Sequence, residues 1–593
     1  MIKYLSEISL LVSLLFFGCA QKADACTNII VSRGASTDGS VLVSYAADSH
    51  VQYGELYYVP GGVFKKGAKI QISEWDTGGR PLGVISQVAR TYSTMGNMNE
   101  HQLIITETTF GGREELVDTT GGMDYGSIIY ITLQRAASAR EAIKTIVELM
   151  DTYGYASEGE TFSIADKNEA WIMEIIGKGV ELDRKGVNKR RGAVWVARRV
   201  PDGYICAHAN QSRIREVPMD DPENCLYAKD VVSFAVEKGY YDKKSGRPFS
   251  FAEAYAPADF GTIRGCDARV WAAFNNLGGG QIGDNPADFY LDYITGVDST
   301  GSLPLFIKPA KKLSVKDVAD AMRDHFENTP LDMRNDIGAG GNDCPYRWRP
   351  MEFEWEGKTY VNERAIATQQ TGFWMVGQAR AWLPDEIGGI LWFGVDDAAT
   401  SCLTPVYSAS TRVPECFRVG NGDMLTYSPT SAFWLFNRLA HQAYLRYNYV
   451  APEIRAASDE HEIGALKIIP TVDEQAKRIM DEEEDVKEYL TNWSELFAAR
   501  MFNKFKTLEE NLFVKYIDGN VKKQNEDGSF KYSQYKGWNY GSRIPENPDQ
   551  PGYTDVWKRA VASDPAMKSV EDQKAAFKAK QAPAVDETAA EVK

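Results

Sequence analysis

Ala23-Asp24-Ala25-Cys26-Thr27-Asn28-Ile29-Ile30-Val31 is the stretch from which the rest of the chain is read. The apolar run Ile8 to Phe17 precedes it, and the small residues Ala23 and Ala25 form the A-x-A pattern that signal peptidase cuts. Cleavage after Ala25 would make Cys26 the first residue of the mature protein. Such a cysteine carries a thiol titrating near ~8.5 and a free α-amine titrating near ~7.7 to 8, so the amine takes the thiol proton without help from a histidine. A plainer reading stands beside this one. Cys19, behind Phe16-Phe17-Gly18, is placed as a lipid-attachment cysteine, and Cys26 is then a small buried residue at the start of a strand.

The leader run is too short to span a bilayer and suits a signal h-region, and no later segment approaches a membrane span. The expectation is an exported protein, periplasmic or secreted, with an outer-membrane lipoprotein anchored through Cys19 as the alternative. A formal charge of −16, unchanged when Lys3, Lys22, Glu7 and Asp24 leave with the leader, argues against nucleic acid or an anionic membrane as partner. The eight cysteines contain no C-x-x-C pair and the six histidines no ligand spacing, so no metal is expected. In an oxidising compartment some of the other six cysteines would be able to pair, in a connectivity the sequence does not give.

Further along, short β runs alternate with turns. Residues 27–32 and 41–44 are predicted to pair around Asp38-Gly39, residues 161–165 and 170–175 to turn at Asp166-Lys167-Asn168-Glu169, and residues 193–200 and 204–208 to be joined by Pro201-Asp202-Gly203. Ser138 is an N-cap for a helix with Ala142, Ile143, Ile146, Val147 and Met150 on its apolar side, and Ser314 and Asp317 form a capping box. Antiparallel strands with helices on their faces make an α+β layered domain. After about Ala432 the chain reads as helical, the acidic run Asp481 to Asp485 as a solvated helix face, and the stretch from Met567 as a frayed tail. The expected division is a leader over 1–25, a main domain over 26–447, a helical region over 448–566 and a tail over 567–593. Asp396-Asp397 resembles a paired-carboxylate site only by adjacency, since neighbours on a strand point to opposite faces.

The order of several segments resembles the N-terminal-nucleophile dipeptidases of the dipeptidase A type, relatives of bile salt hydrolase and penicillin V acylase. The segments are Cys26-Thr27-Asn28, Asp38-Gly39-Ser40, Ala46-Ala47-Asp48-Ser49, Met98-Asn99-Glu100-His101, Glu107-Thr108-Thr109-Phe110, Ala170-Trp171-Ile172-Met173-Glu174 and Arg269-Val270-Trp271. Thr371-Gly372-Phe373 and Trp392-Phe393-Gly394-Val395-Asp396-Asp397 follow. The resemblance implies a four-layer αββα Ntn-hydrolase sandwich, here with a helical C-terminal extension, and it implies roles. Cys26 matches the nucleophile and Asp48 the carboxylate that holds the terminal amine. Thr109 supplies a main-chain N–H to the oxyanion, Asn210 a side-chain amide, and Arg269 a charge favouring the thiolate. The family's Arg-Asn-x-Asp run is here Tyr45-Ala46-Ala47-Asp48, so Tyr45 stands where an arginine usually lies against the sulfur, with consequences for activation and specificity.

The reaction expected is hydrolysis of dipeptides or other short peptides through a Cys26 thioester, with no cofactor. A dipeptide presents both a free ammonium and a free carboxylate. Glu107, beside the oxyanion position, is the candidate for the first and Arg269 or a nearby arginine for the second. Two other readings are a non-catalytic peptide-binding surface protein, suited by 30 tyrosines and 13 tryptophans, and an acylase acting on bile-salt-like or penicillin-like amides. Oligomeric state is left open, a homo-oligomer included.

Overall fold

A computed structural model describes residues 25–75, 79–534, 543–567 and 569–581. Residues 1–24, Cys19 among them, and the last twelve residues lie outside them. The protein is mixed α and β, with antiparallel sheets. Its first described element, the strand Ala25–Val31, sits between Ile205–His208 and Val41–Asp48 in a seven-stranded sheet. That sheet continues through Thr371–Ala379 and Gly389–Val395 to Thr404–Tyr407. An eight-stranded sheet has Ala193–Arg199, Ala170–Gly177, Gly159–Ala165 and Ile104–Gly111 at its centre. Ala25–Val31 packs on Ile104–Gly111, which brings the two sheets face to face.

Burial explains why. Val41–Asp48, Thr371–Ala379 and Gly389–Val395 are buried at every residue, as expected of strands covered on both sides rather than on one. The helices Tyr125–Leu133 and Ala139–Tyr153 cover the eight-stranded sheet. Ile128, Leu133, Ile143, Ile146 and Met150 pack there against Phe162, Ile164, Trp171 and Met173 in one apolar cluster. Each large aliphatic side chain so buried contributes about 1.5–3 kcal/mol. Helices Ala268–Leu277 and Val315–Ala321 pack on strands of the seven-stranded sheet.

Both predicted caps form. The Ser138 side chain accepts from Glu141 N–H, and Ser314 and Asp317 make a complete capping box. The first two hairpins pair as the turn residues indicate. The third does not. Ala193–Arg199 pairs with Ala170–Gly177, whereas Ile205–His208 pairs with Ala25–Val31, so Pro201-Asp202-Gly203 carries the chain from one sheet to the other. Gly203 takes φ 82°, and Asp202 Oδ1 accepts from Gly34 N–H at 2.6 Å, pinning the crossover.

The chain forms two compact units. One comprises the described residues up to Asp324 together with Glu363–Ala440 and Ile454–Thr507; the other comprises His325–Asn362, His441–Glu453 and the described residues from Leu508 onward. The helical C-terminal region therefore does not stand apart as its composition suggests. Within the first unit, Arg380 Nη1 meets Asp473 Oδ2 at 2.5 Å, Tyr407 donates to Asp473 Oδ1 at 2.8 Å, and Arg323 pairs with Glu462. These buried bonds tie the helix Tyr447–Asp481 to the sheet. The acidic run is a break and not a helix face: Tyr447–Asp481 ends at it, Val486–Tyr516 starts after it, and Glu483 has φ 57°. Crowded like charges disfavour helix at that point. Among residues predicted as tail, Val570–Gln581 is helical with no buried residue. No described helix is long and apolar enough to cross a membrane.

Candidate active site

The strand register builds the site. Cys26 lies opposite Ala47, and alternation puts Tyr45 on the same face as Cys26 and Asn28, towards the facing sheet. There Asn28 Nδ2 donates to Glu107 O at 2.7 Å, and Glu107 Oε1 lies 3.5 Å from Cys26 Sγ. Tyr45 donates its hydroxyl to the same Oε1 and stands 3.9 Å from the sulfur. The reading of Tyr45 as a replacement beside the sulfur therefore has a geometric counterpart, a phenol bonded to a carboxylate where the family resemblance implies a cation.

This surrounding acts on the thiol. Burial pushes the Cys26 pKa well up, and the charges of Glu107 and then Asp48 push the same way; the Asp48 main-chain N–H and the Tyr45 hydroxyl oppose them. A raised value keeps the sulfur protonated as a thiol at neutral pH. Tyr45 is likewise raised, first by burial and then by Cys26 and Glu107, so its hydroxyl remains a donor.

Arg269 is on the opposite face, on helix Ala268–Leu277. Its Nη1 donates to Cys26 O at 2.6 Å and Thr27 Oγ1 at 2.9 Å. Its Nη2 donates to Ala209 O at 2.9 Å and Asn210 Oδ1 at 3.0 Å, and Nε donates to Gly265 O at 2.8 Å. The guanidinium thus clamps the main chain around Cys26 and Asn210 instead of contacting the sulfur. Burial and the like charge of Arg364 lower its pKa.

Asn210 follows the strand Ile205–His208 in a left-handed conformation, φ 64°. Its Oδ1 accepts from the Cys26 nitrogen at 2.7 Å, and its Nδ2 donates to Thr109 O at 2.7 Å. Two donors on one side and a carbonyl on the other fix which way the amide faces. The Cys26 nitrogen is a peptide N–H here, because Ala25 precedes it. Asp48, expected beside that nitrogen, instead gives its carboxylate to Arg364 Nη2 at 2.6 Å and Thr371 Oγ1 at 2.7 Å. The Thr109 hydroxyl donates to Glu160 Oε2 at 2.9 Å.

The fold therefore gathers Cys26, Tyr45, Glu107, Thr109, Asn210 and Arg269 around one residue, with Asp48 at the next strand position. Arg364 was not legible in the sequence, lying 316 positions from Asp48 in a segment without a motif. Thr371 belongs to a segment quoted above, but nothing local marks its hydroxyl as a partner of Asp48. Among described residues, Asp320, Asp459 and Glu462 approach one another as metal ligands would, but Lys316, Arg323 and Arg455 already neutralise them. Asp396, just past the strand Gly389–Val395, has φ 62°, and Asp397 caps the following turn, so the two do not form an acid/base pair on a strand.

Comparisons with known proteins show which family the sequence belongs to. The chain is similar to "Probable dipeptidase" of Latilactobacillus sakei, 24% identical over 434 residues, covering 70% of this chain and 80% of that protein. It is 25% identical over 409 residues to "Probable dipeptidase" of Salmonella dublin, covering 65% and 81%, and 23% identical over 483 residues to "Dipeptidase A" of Lactobacillus helveticus, covering 78% and 91%. The model of peptidase family C69 matches residues 71–460, a stretch that begins after Cys26 and takes in Glu107, Thr109, Asn210, Arg269 and Arg364. With more than half of its length matched, the chain belongs to peptidase family C69.

Proposed function

We propose that the protein is an exported dipeptidase that works through a thioester on Cys26, once cleavage after Ala25 has freed the Cys26 α-amine. The observation that carries this reading is the placing of both reactive atoms of one residue: the Cys26 nitrogen on Asn210 Oδ1 at 2.7 Å and its sulfur 3.5 Å from Glu107. Arg269 donates to the same Asn210 oxygen and so holds it turned towards the amine. Sheet-on-sheet packing with helices against both sheets supports the four-layer αββα Ntn arrangement.

The amine takes the thiol proton, and the sulfur attacks the peptide carbonyl carbon. The Thr109 N–H and the second hydrogen of Asn210 Nδ2, whose first goes to Thr109 O, hold the oxyanion. The amine then returns its proton to the leaving nitrogen as the C–N bond breaks, leaving a thioester. Water, deprotonated by the same amine, attacks the thioester carbon, and the thiol is regenerated with release of the acid.

Carboxylates near the sulfur favour a substrate that brings a cation, and the free α-ammonium of a dipeptide is one. Glu107 is its partner in this reading. A charge-assisted bond of about 1.5–3 kcal/mol corresponds to a rise in KM of roughly 10- to 150-fold in Glu107→Gln, and unchanged dipeptide kinetics would remove the assignment. The main test is a panel of dipeptides, a penicillin-type amide and a bile-salt-type amide, assayed with wild type and Cys26→Ala. The expected result is turnover of dipeptides that Cys26→Ala lacks. A Cys26→Ala variant as fast as wild type sinks the reading, and a variant that binds peptides unchanged, with no wild-type turnover, makes the protein a binder.

A further inference from the structure

We propose that Glu174 is the positioning residue for Asn210, and that it acts through the reach and acceptor geometry of its side chain and not through its charge; this rests on the Cys26 reading above. Glu174 is fully buried in the strand Ala170–Gly177, where register fixes it between Thr161 and Val196 of the flanking strands. Its Oε1 accepts from the main-chain N–H of Arg213 at 2.5 Å and of Ile214 at 3.0 Å, and its Oε2 accepts from the Ser212 hydroxyl at 2.5 Å. One carboxylate therefore holds three consecutive residues of the loop that follows Asn210.

That loop needs holding. Asn210 sits at a left-handed φ of 64°, which asparagine tolerates but which does not by itself aim the side chain, so its neighbours impose the placement. On its upstream side the imposition is strand pairing, His208 opposite Asn28. On its downstream side Gln211 bonds Ala209 N–H and Asp267, and Glu174 takes the next three residues. Since Asn210 links the Cys26 nitrogen to Thr109 O, a shift of the loop moves the acceptor that orients the base and the oxyanion donor together.

Charge is dispensable in this arrangement. Burial pushes the Glu174 carboxyl up to about 7, opposed by the Ser212 hydroxyl, the two N–H groups and the charge of Arg213. When protonated, the acid keeps both N–H bonds on one oxygen and gives its proton to Ser212 Oγ. The same three loop residues stay held in either state. A glutamine reproduces the protonated arrangement with its amide N–H on Ser212, whereas an aspartate keeps the charge and falls one methylene short.

The test is steady-state dipeptide hydrolysis, referred to folded protein by near-UV circular dichroism, with thermal midpoints measured in parallel. Glu174→Gln is expected to keep kcat within about threefold and Glu174→Asp to lose roughly 30- to 100-fold in kcat with KM unchanged, as a misplaced catalytic group does. Full kcat per folded molecule in Glu174→Asp, or an active Asp variant beside an inactive Gln variant, overturns the proposal. If Glu174→Asp does not fold, Ser212→Ala carries the test: a three- to tenfold loss of kcat supports the proposal and an unchanged kcat overturns it. Cys26→Ala in the same assay separates the two readings. Its full turnover sinks the nucleophile assignment, while an inactive Cys26→Ala with a fully active Glu174→Asp sinks the positioning role alone.

Discussion

Arg364 Nη2 lies 2.6 Å from Asp48 Oδ2, and the Asp48 side chain is fully enclosed. Thr371 closes the other oxygen, so the carboxylate is paired and hydrogen-bonded at the end of the strand next to Cys26. Removing one partner of such a pair leaves a buried charge without compensation, at a cost of about 3–5 kcal/mol. Arg364→Ala is expected to lower the urea-unfolding free energy by that amount and to reduce turnover with it. A loss below about 0.5 kcal/mol, the scatter of neutral surface changes, would mean that the ion pair does not hold this strand end.

Glu107 gives a separable prediction about the sulfur. Its charge raises the Cys26 thiol, so Glu107→Gln should shift the pH at which iodoacetamide alkylates Cys26 downward, in the same variant whose KM rises. An alkylation profile that moves upward or stays in place contradicts the arrangement at the sulfur.

Asp396 should make the protein less stable in alkali. Burial, then the charge of Asp397, pushes its carboxyl up to about 8, with Asn437 Nδ2 on Oδ1 at 3.0 Å. A folded-state value above the unfolded one means a stabilising contribution that is complete below the usual carboxylate range and lost as pH rises towards about 8. Asparagine mimics the protonated acid and tolerates positive φ. Asp396→Asn should therefore narrow the fall in thermal midpoint between pH 5 and pH 9, and an unchanged fall would refute the assignment.

His208 works in the opposite direction. Its ring nitrogens lie 2.7 Å from the Thr108 and Ser163 hydroxyls, and burial, followed by the charge of Arg213, pushes its pKa down to about 3. The stability it contributes is present above the ordinary histidine value and lost as pH falls towards 3. His208→Gln, which keeps a donor and an acceptor, should flatten the decline of the urea midpoint between pH 6.5 and 4. An equally steep decline would place the acid sensitivity elsewhere.

Much of the fold was legible wherever local chemistry decides it. Ser138 and Ser314 marked helix starts because an N-cap is a bond between near neighbours, and the hairpin at Asp166 to Glu169 followed from its turn residues. What the sequence hid depends on distance. The Pro201-Asp202-Gly203 turn reads like any hairpin, and only pairing with Ala25–Val31 sends its second strand to the other sheet. At the site, Cys26, Tyr45, Glu107, Thr109, Asn210 and Arg269 were all picked out from motifs, and they do converge. Their partners were less visible: Arg269 meets carbonyl oxygens, and any buried arginine finds such acceptors only through the packing of the whole domain. Asp48 meets Arg364, a residue no pattern distinguishes.

The central claim, that an exposed amine on Cys26 is the base for its own thiol, is tested most directly by intact-mass measurement and N-terminal sequencing of active protein purified from its native compartment. Every active molecule is expected to begin at Cys26 with an unmodified amine. A form that retains Ala25 or carries an acylated Cys19, and that still hydrolyses dipeptides at the full rate, would contradict it.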